Sequence, residues 1–152
     1  MPKPRISYQS ESPSMNGMSA PRDPRYNAGA SRFFFNVVTK VADYTVLESD
    51  FGTIFNNAGA TANVTFTLPA VTNLPEGWWC AVFAATLAYN VAVASNGSSD
   101  NIITVNDIAA DSVTLGTSNE KAGGGFMLVY DATNTKWMCF TITGETQTVT
   151  IA

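Results

Sequence analysis

Downstream of residue 32 the apolar positions come in short bursts separated by clusters of Gly, Asn, Asp, Pro and Ser, and no stretch sustains a helical period. The bursts are rich in Val, Ile, Thr, Phe and Tyr. They predict eleven strands, near 36–41, 43–48, 52–56, 62–68, 78–85, 89–95, 101–105, 111–115, 125–130, 136–142 and 146–151. Short strands in that number, with no helix among them, predict an all-β fold built as a compact β-sandwich or jelly-roll-like domain.

Several segments disclose their pleat. In 63–68, Val64, Phe66 and Leu68 alternate with Asn63, Thr65 and Thr67, as in a half-buried strand, and Pro69 ends it because proline has no amide to donate. Trp78 through Ala85 is apolar on both faces, which predicts a central strand or one covered by a neighbouring protomer. Asp131 to Thr135 joins two strongly apolar strands as a hairpin loop, and Asn96-Gly97 suits a turn with positive φ. Phe33-Phe34-Phe35 with Val37-Val38 forms a dense cluster that must be buried in the domain or between subunits.

Residues 1–32 follow neither period. They hold five of the seven prolines, and proline fixes φ, lacks a donor and pushes its predecessor to extended geometry. An extended N-terminal docking arm over 1–32 and a β-sandwich domain over 33–152 are therefore expected. Tyr8, Met15, Met18 and Tyr26 are scattered along the arm, where they serve as anchors if it orders on a partner.

Charge divides the chain in the same way. From Met1 to Lys40 six basic residues face two acidic ones, and from Val41 onward two face ten, so a net of +4 precedes a net of −8. An acidic body argues against nucleic-acid binding, which needs clustered Lys and Arg. The basic arm is suited to an acidic protein surface. No secretory leader pattern and no transmembrane run is present, so a soluble product with no membrane partner, made in the cytoplasm, is expected.

Candidate chemistry is sparse. With no histidine, Ser-His-Asp and Cys-His systems and histidine-ligated metals are excluded. Asp107 and Asp111, near Asp100, are the densest carboxylates, and the segment between them reads as a solvated turn. Gly123-Gly124-Gly125 lacks the Lys-Ser/Thr and helix of a phosphate loop and reads as a turn or a close approach of backbones. Trp78, Trp79 and Trp137 are core residues or, on an open face, a platform for sugars. Cys80 and Cys139 lie in apolar runs as small buried hydrophobes, and a disulfide between them stays open. Neither catalytic residues nor a cofactor or metal is expected.

The run from Asp43 to Ala60, with Tyr44-Thr45-Val46, Asp50-Phe51-Gly52 and Asn56-Asn57-Ala58-Gly59-Ala60, is followed by Val64 to Ala70 and later by Val129-Tyr130-Asp131 and Lys136-Trp137. This order resembles a β-module of tailed-bacteriophage virion proteins, found in capsid decoration (cement), head-fibre and tail-fibre proteins, over about residues 43–142. The resemblance implies a homotrimeric β domain on a phage particle. Because the chain has neither heptads nor a repeat, a capsid decoration protein on the virion exterior is favoured over a fibre. Its arm, through Tyr8, Arg22, Arg25, Tyr26 and Arg32, is expected to contact the major capsid protein. Phe33, Phe34, Phe35, Trp78 and Trp79 are expected to pack between subunits or between arm and domain. The alternatives are a head-fibre or tail-fibre protein that binds a host surface glycan and, more remotely, a polysaccharide-degrading enzyme with paired carboxylates.

Overall fold

The computed structural model describes residues 35–97, 102–105, 107–116, 122–143 and 149–152. The arm 1–32, with Phe33 and Phe34, lies outside the described residues. Within them the chain is all-β. Its strands are β1 (Asn36–Thr39), β2 (Tyr44–Thr45), β3 (Thr53–Asn56), β4 (Val64–Thr67), β5 (Trp79–Phe83), β6 (Val91–Ala94), β7 (Ile102–Thr104), β8 (Asp107–Ala110), β9 (Ser112–Leu115), β10 (Gly125–Asp131), β11 (Lys136–Ile142) and β12 (Val149–Ile151).

They form two sheets. One runs β1-β3-β5-β10-β11-β7-β8 and the other β12-β9-β6-β4-β2. The expected sandwich is present, and its wiring differs from the antiparallel Greek keys of a jelly roll. From β1 to β6 the chain changes sheet at every strand, so that β1, β3 and β5 lie parallel in one sheet while β2, β4 and β6 lie parallel in the other. A parallel pair needs a crossover connection. Here a strand of the opposite sheet supplies it, in place of a helix. Antiparallel pairing then extends both sheets, with β10 between β5 and β11, and β9 between β6 and β12, before β7 joins β11 in parallel.

The inward faces supply one core. Phe55 of β3 meets Phe66 of β4 across the sandwich at 5.3 Å between ring centroids, and Tyr44 of β2 lies 5.6 Å from Phe55. Val64, Phe66, Leu68, Cys80, Val82, Val91, Val93, Val113, Leu115, Phe126, Leu128 and Trp137 complete it. Trp78, just ahead of β5, stands edge-on to Trp137 at 5.7 Å, and its indole N–H donates to the Glu48 carbonyl at 3.0 Å.

Two readings are corrected in detail. The strand expected over 43–48 shrinks to β2, because Glu48–Asp50 turns as a 3-10 helix. The Asp50 carboxylate accepts from the Leu47 N–H and the Tyr44 hydroxyl, both at 2.9 Å, and so fastens that turn back to the strand. The segment Asp107–Ala110, read as a solvated turn, is the edge strand β8, paired antiparallel to β7 with a register shift. It escaped detection because Ile108 and Ala109 are both exposed, so no alternation marks it. Asp111 follows as a bend, and Asp100 lies outside the described residues.

Two backbone positions carry testable strain. Gly125 pairs with Phe83, and a Cβ there meets the Val82 carbonyl and the Phe83 ring, at 2.5 and 2.7 Å. The close approach anticipated for the glycine run is thus located at its last member. Thr135, at the end of the 131–135 hairpin loop, has φ +54°, a left-handed geometry that a β-branched residue adopts at a cost. Gly125→Ala should lower stability by about 1–3 kcal/mol. Thr135→Asn should raise it by about 0.5–1 kcal/mol, since asparagine tolerates that geometry better. Urea unfolding midpoints of the two variants, moving in opposite directions from the parent, check both.

Candidate interaction surfaces

The residues that carry the family resemblance are consumed by architecture. Asp43 accepts from the Thr65 N–H at 2.8 Å, tying the approach to β2 onto β4. Gly52 has φ +73°, its N–H donates to the Trp79 carbonyl at 2.8 Å, and its bare Cα lies against the Trp79 ring. Asn56 accepts from the Thr39 hydroxyl and the Ala58 N–H, both at 3.0 Å. Asn57, fully buried, accepts from the Ala85 N–H at 2.7 Å and so joins the turn after β3 to the end of β5. Among the described residues, no group of three His, Cys, Asp or Glu side chains is placed to hold a metal ion.

The predicted tryptophan pair separates. Trp78 takes the core side of the alternative, at 2% exposure, and Trp137 is fully enclosed, so neither offers a ring to a sugar or a subunit. Trp79 is half-buried on the outer side of the seven-stranded sheet, with Phe35 edge-on at 6.1 Å and Phe51 at 6.2 Å. Phe35 is 60% exposed and Phe51 57%. Of the candidate packing residues, Phe35 and Trp79 are therefore the two that the structure brings together at a surface. Tyr8, Arg22, Arg25, Tyr26 and Arg32 lie outside the described residues.

The outer face of that sheet is the feature that the sequence reading underestimated. Strand registers align Val37, Ile54, Ala81, Met127 and Phe140 in one row across five strands. A second row holds Trp79, Val129, Met138 and Ile103, and a third holds Thr39, Asn56, Phe83, Gly125 and Ile142. None of these residues is ionisable. The outer face of the other sheet is different in kind, with Thr45, Thr67, Ala94 and Ser112 in one row and Thr65, Ala92, Thr114 and Thr150 in the next. Small and hydroxylated side chains suit water; large apolar ones on an open sheet mark an interaction surface. The two-sided apolar character of 78–85 was the sequence signal for this face, and β5 lies in the interior of the sheet, between β3 and β10.

Charged groups stand at the ends of the strands. Asp131 and Lys136 are register partners where β10 meets β11. The Asn134 side-chain amide and backbone N–H, at 2.7 and 3.1 Å, hold the Asp131 carboxyl below its ordinary pKa and close the hairpin. At the opposite sheet, Lys40 lies over the Tyr44 ring with Nζ 3.5 Å from its centroid. Burial, and then the bond to Asp50, pushes the Tyr44 hydroxyl up.

The two thiols resolve the disulfide question. Cys80 and Cys139 are both register partners of Leu128, one on each side of it. Two strand spacings separate them by about 10 Å, beyond the reach of a disulfide. Both are free, and burial pushes each thiol from an ordinary 9.0 up to about 12. Above pH 9 the unfolded chain releases protons that the folded chain retains, so stability falls as pH rises from 9 toward 12. The urea midpoint should decline across that range, and a Cys80→Ala/Cys139→Ala variant should show a shallower decline from its own starting value. At pH 8 the native thiols should resist iodoacetamide and react only after unfolding, as read by mass.

Comparison of the chain with protein-family models finds no match, and comparison with curated proteins finds none either.

Proposed function

We propose that this chain is a structural protein of a tailed-phage virion, a decoration protein that docks on the assembled head through residues 1–32 and stabilises it. The observation that carries this reading is the contrast between the two outer sheet faces, one threonine-rich and one with large apolar side chains in its middle rows and its charges, Asp131 and Lys136, at the strand ends. A domain with apolar rows across one open sheet is suited to assembly. The resemblance over residues 43–142 is what favours a virion as the site of that assembly, and the roles of Asp43, Asp50, Gly52 and Asn57 in turns and strand pairing agree with a module whose residues serve shape.

The physics of the role follows from multiplicity. A capsid repeats its sites, and an oligomer of domains that engages several at once gains through effective concentration what each weak contact lacks. Arg22, Arg25 and Arg32 supply charge to an acidic shell surface. Exposed ion pairs contribute only about 0–1 kcal/mol each, which leaves Tyr8 and Tyr26 as the anchors of the arm. The acidic body, with its net −8 from Val41 onward, keeps particles from aggregating.

Deletion of residues 1–32 should abolish binding to heads of the parent phage while the β domain keeps its circular dichroism and cooperative unfolding. Heads that bind the truncated and intact chains equally would overturn the docking role. Electron microscopy of particles labelled on this protein provides the second check: label over the head is expected, and label confined to tail or fibre tips would favour a receptor-binding fibre.

A further inference from the structure

We propose that the outer face of the seven-stranded sheet is the surface through which copies of this chain assemble, and that its occupant is a second copy of the same face. The proposal names the surface behind the oligomer expected above, and its argument holds whether or not the protein resides on a phage head.

The face is large and continuous. Five strands, β1, β3, β5, β10 and β11, spaced about 4.8 Å apart and contributing about five residues each, give a flat footprint of about 400 Å². Phe35 and Phe51 beside Trp79 extend the apolar surface past the strand rows. Val37, Phe140 and Ile142, at 61%, 54% and 45% exposure, are spread from one side of this area to the other, so the apolar surface is not confined to one corner.

Charge selects the occupant. The chain carries a net −8 from Val41 onward, so two bodies repel wherever their acidic surfaces meet. The three rows on this face hold no ionisable residue, and there two copies can touch without that penalty. The charged groups of this face, Asp131 and Lys136, stand side by side in the row beyond, at the strand ends, so across the three rows a basic segment, including the arm with its Arg22, Arg25 and Arg32, meets no carboxylate. An acidic partner finds no cation among them. The apolar rows are matched in chemistry by themselves, and at their margin the Thr39 hydroxyl already donates to Asn56.

Local shape supports the same occupant. Ala81 is small between Ile54 and Met127 in its row, and Phe83 covers Gly125 in the next, so large and small side chains alternate across the face. Two copies stacking face to face, or three closing around an axis with all three faces inward, both bury it.

The test is the mass of the full chain in solution by sedimentation equilibrium over a wide concentration range. A mass two or three times the 16.2 kDa of one chain is expected. Phe140→Glu and Val37→Glu place a carboxylate on the face at exposed positions, so folding is retained, as near-ultraviolet circular dichroism will report. Each should weaken association at least about 100-fold, because the charge is buried without a partner on assembly. Thr114→Glu, on the outer face of the other sheet, should leave association unchanged. A monomer at every concentration, Glu variants that associate like the parent, or an equal loss in Thr114→Glu would each overturn the proposal. A dimeric mass sustains it while counting against a threefold arrangement on the capsid. Failure of the truncated chain to lose head binding would bear on the docking role alone.

Discussion

The contact on which the rest of this domain depends is the meeting of Phe55 and Phe66 between the two sheets, 5.3 Å apart and both fully buried. Strands β1 to β6 alternate between sheets, so no tight hairpin sets their register. Parallel neighbours such as β3 and β5, or β4 and β6, are separated by a strand on the other side of the sandwich. Register there is enforced by which side chains must face inward, since a slip of one residue would turn Phe55 or Phe66 to water. Cross-sheet packing therefore does the work that turns do in an antiparallel meander.

Around that contact, polar groups hold the crossovers. Asp43, Asp50 and Asn57 each accept from a backbone N–H on a neighbouring segment, and Trp78 donates to Glu48. A loop that runs from one sheet to the other exposes backbone groups that no ladder satisfies, and these side chains satisfy them. The result is a scaffold in which the most distinctive residues of the sequence are internal. What remains on the outside is organised by sheet: one threonine-rich face and one apolar face.

That asymmetry connects the fold to the proposed role. A sandwich that served only as a stable monomer would expose small polar side chains on both outer faces, as the five-stranded sheet does. The seven-stranded sheet instead presents Met127, Val129, Met138 and Phe140 on its two longest strands. Burying such side chains is worth roughly 1.5–3 kcal/mol apiece when complete, and only a partner can complete it. The same pattern explains why the two cysteines are inert: they lie on the inward side of the strands, at Leu128, away from the face.

The all-β class, the alternation of 64–68, the hairpin at 131–135 and the central position of 78–85 were legible in the chain, because each is written in local periodicity or turn chemistry. The edge strand β8 was not, since its hold on β7 is backbone pairing and leaves no side-chain pattern. Nor was the separation of Trp78 from Trp79, adjacent residues that the pleat sends to opposite sides. Periodicity and turn chemistry were enough to count the strands of the described residues, within one, and to say which residues of each strand share a side. Which sheet each strand joins is set by pairing in three dimensions, and with it the fact that Val37, Ile54, Ala81, Met127 and Phe140, dispersed over a hundred positions, form one surface. The reason is physical: periodicity is a local property of the chain, whereas a row across a sheet is made by hydrogen bonds between segments that are distant along it.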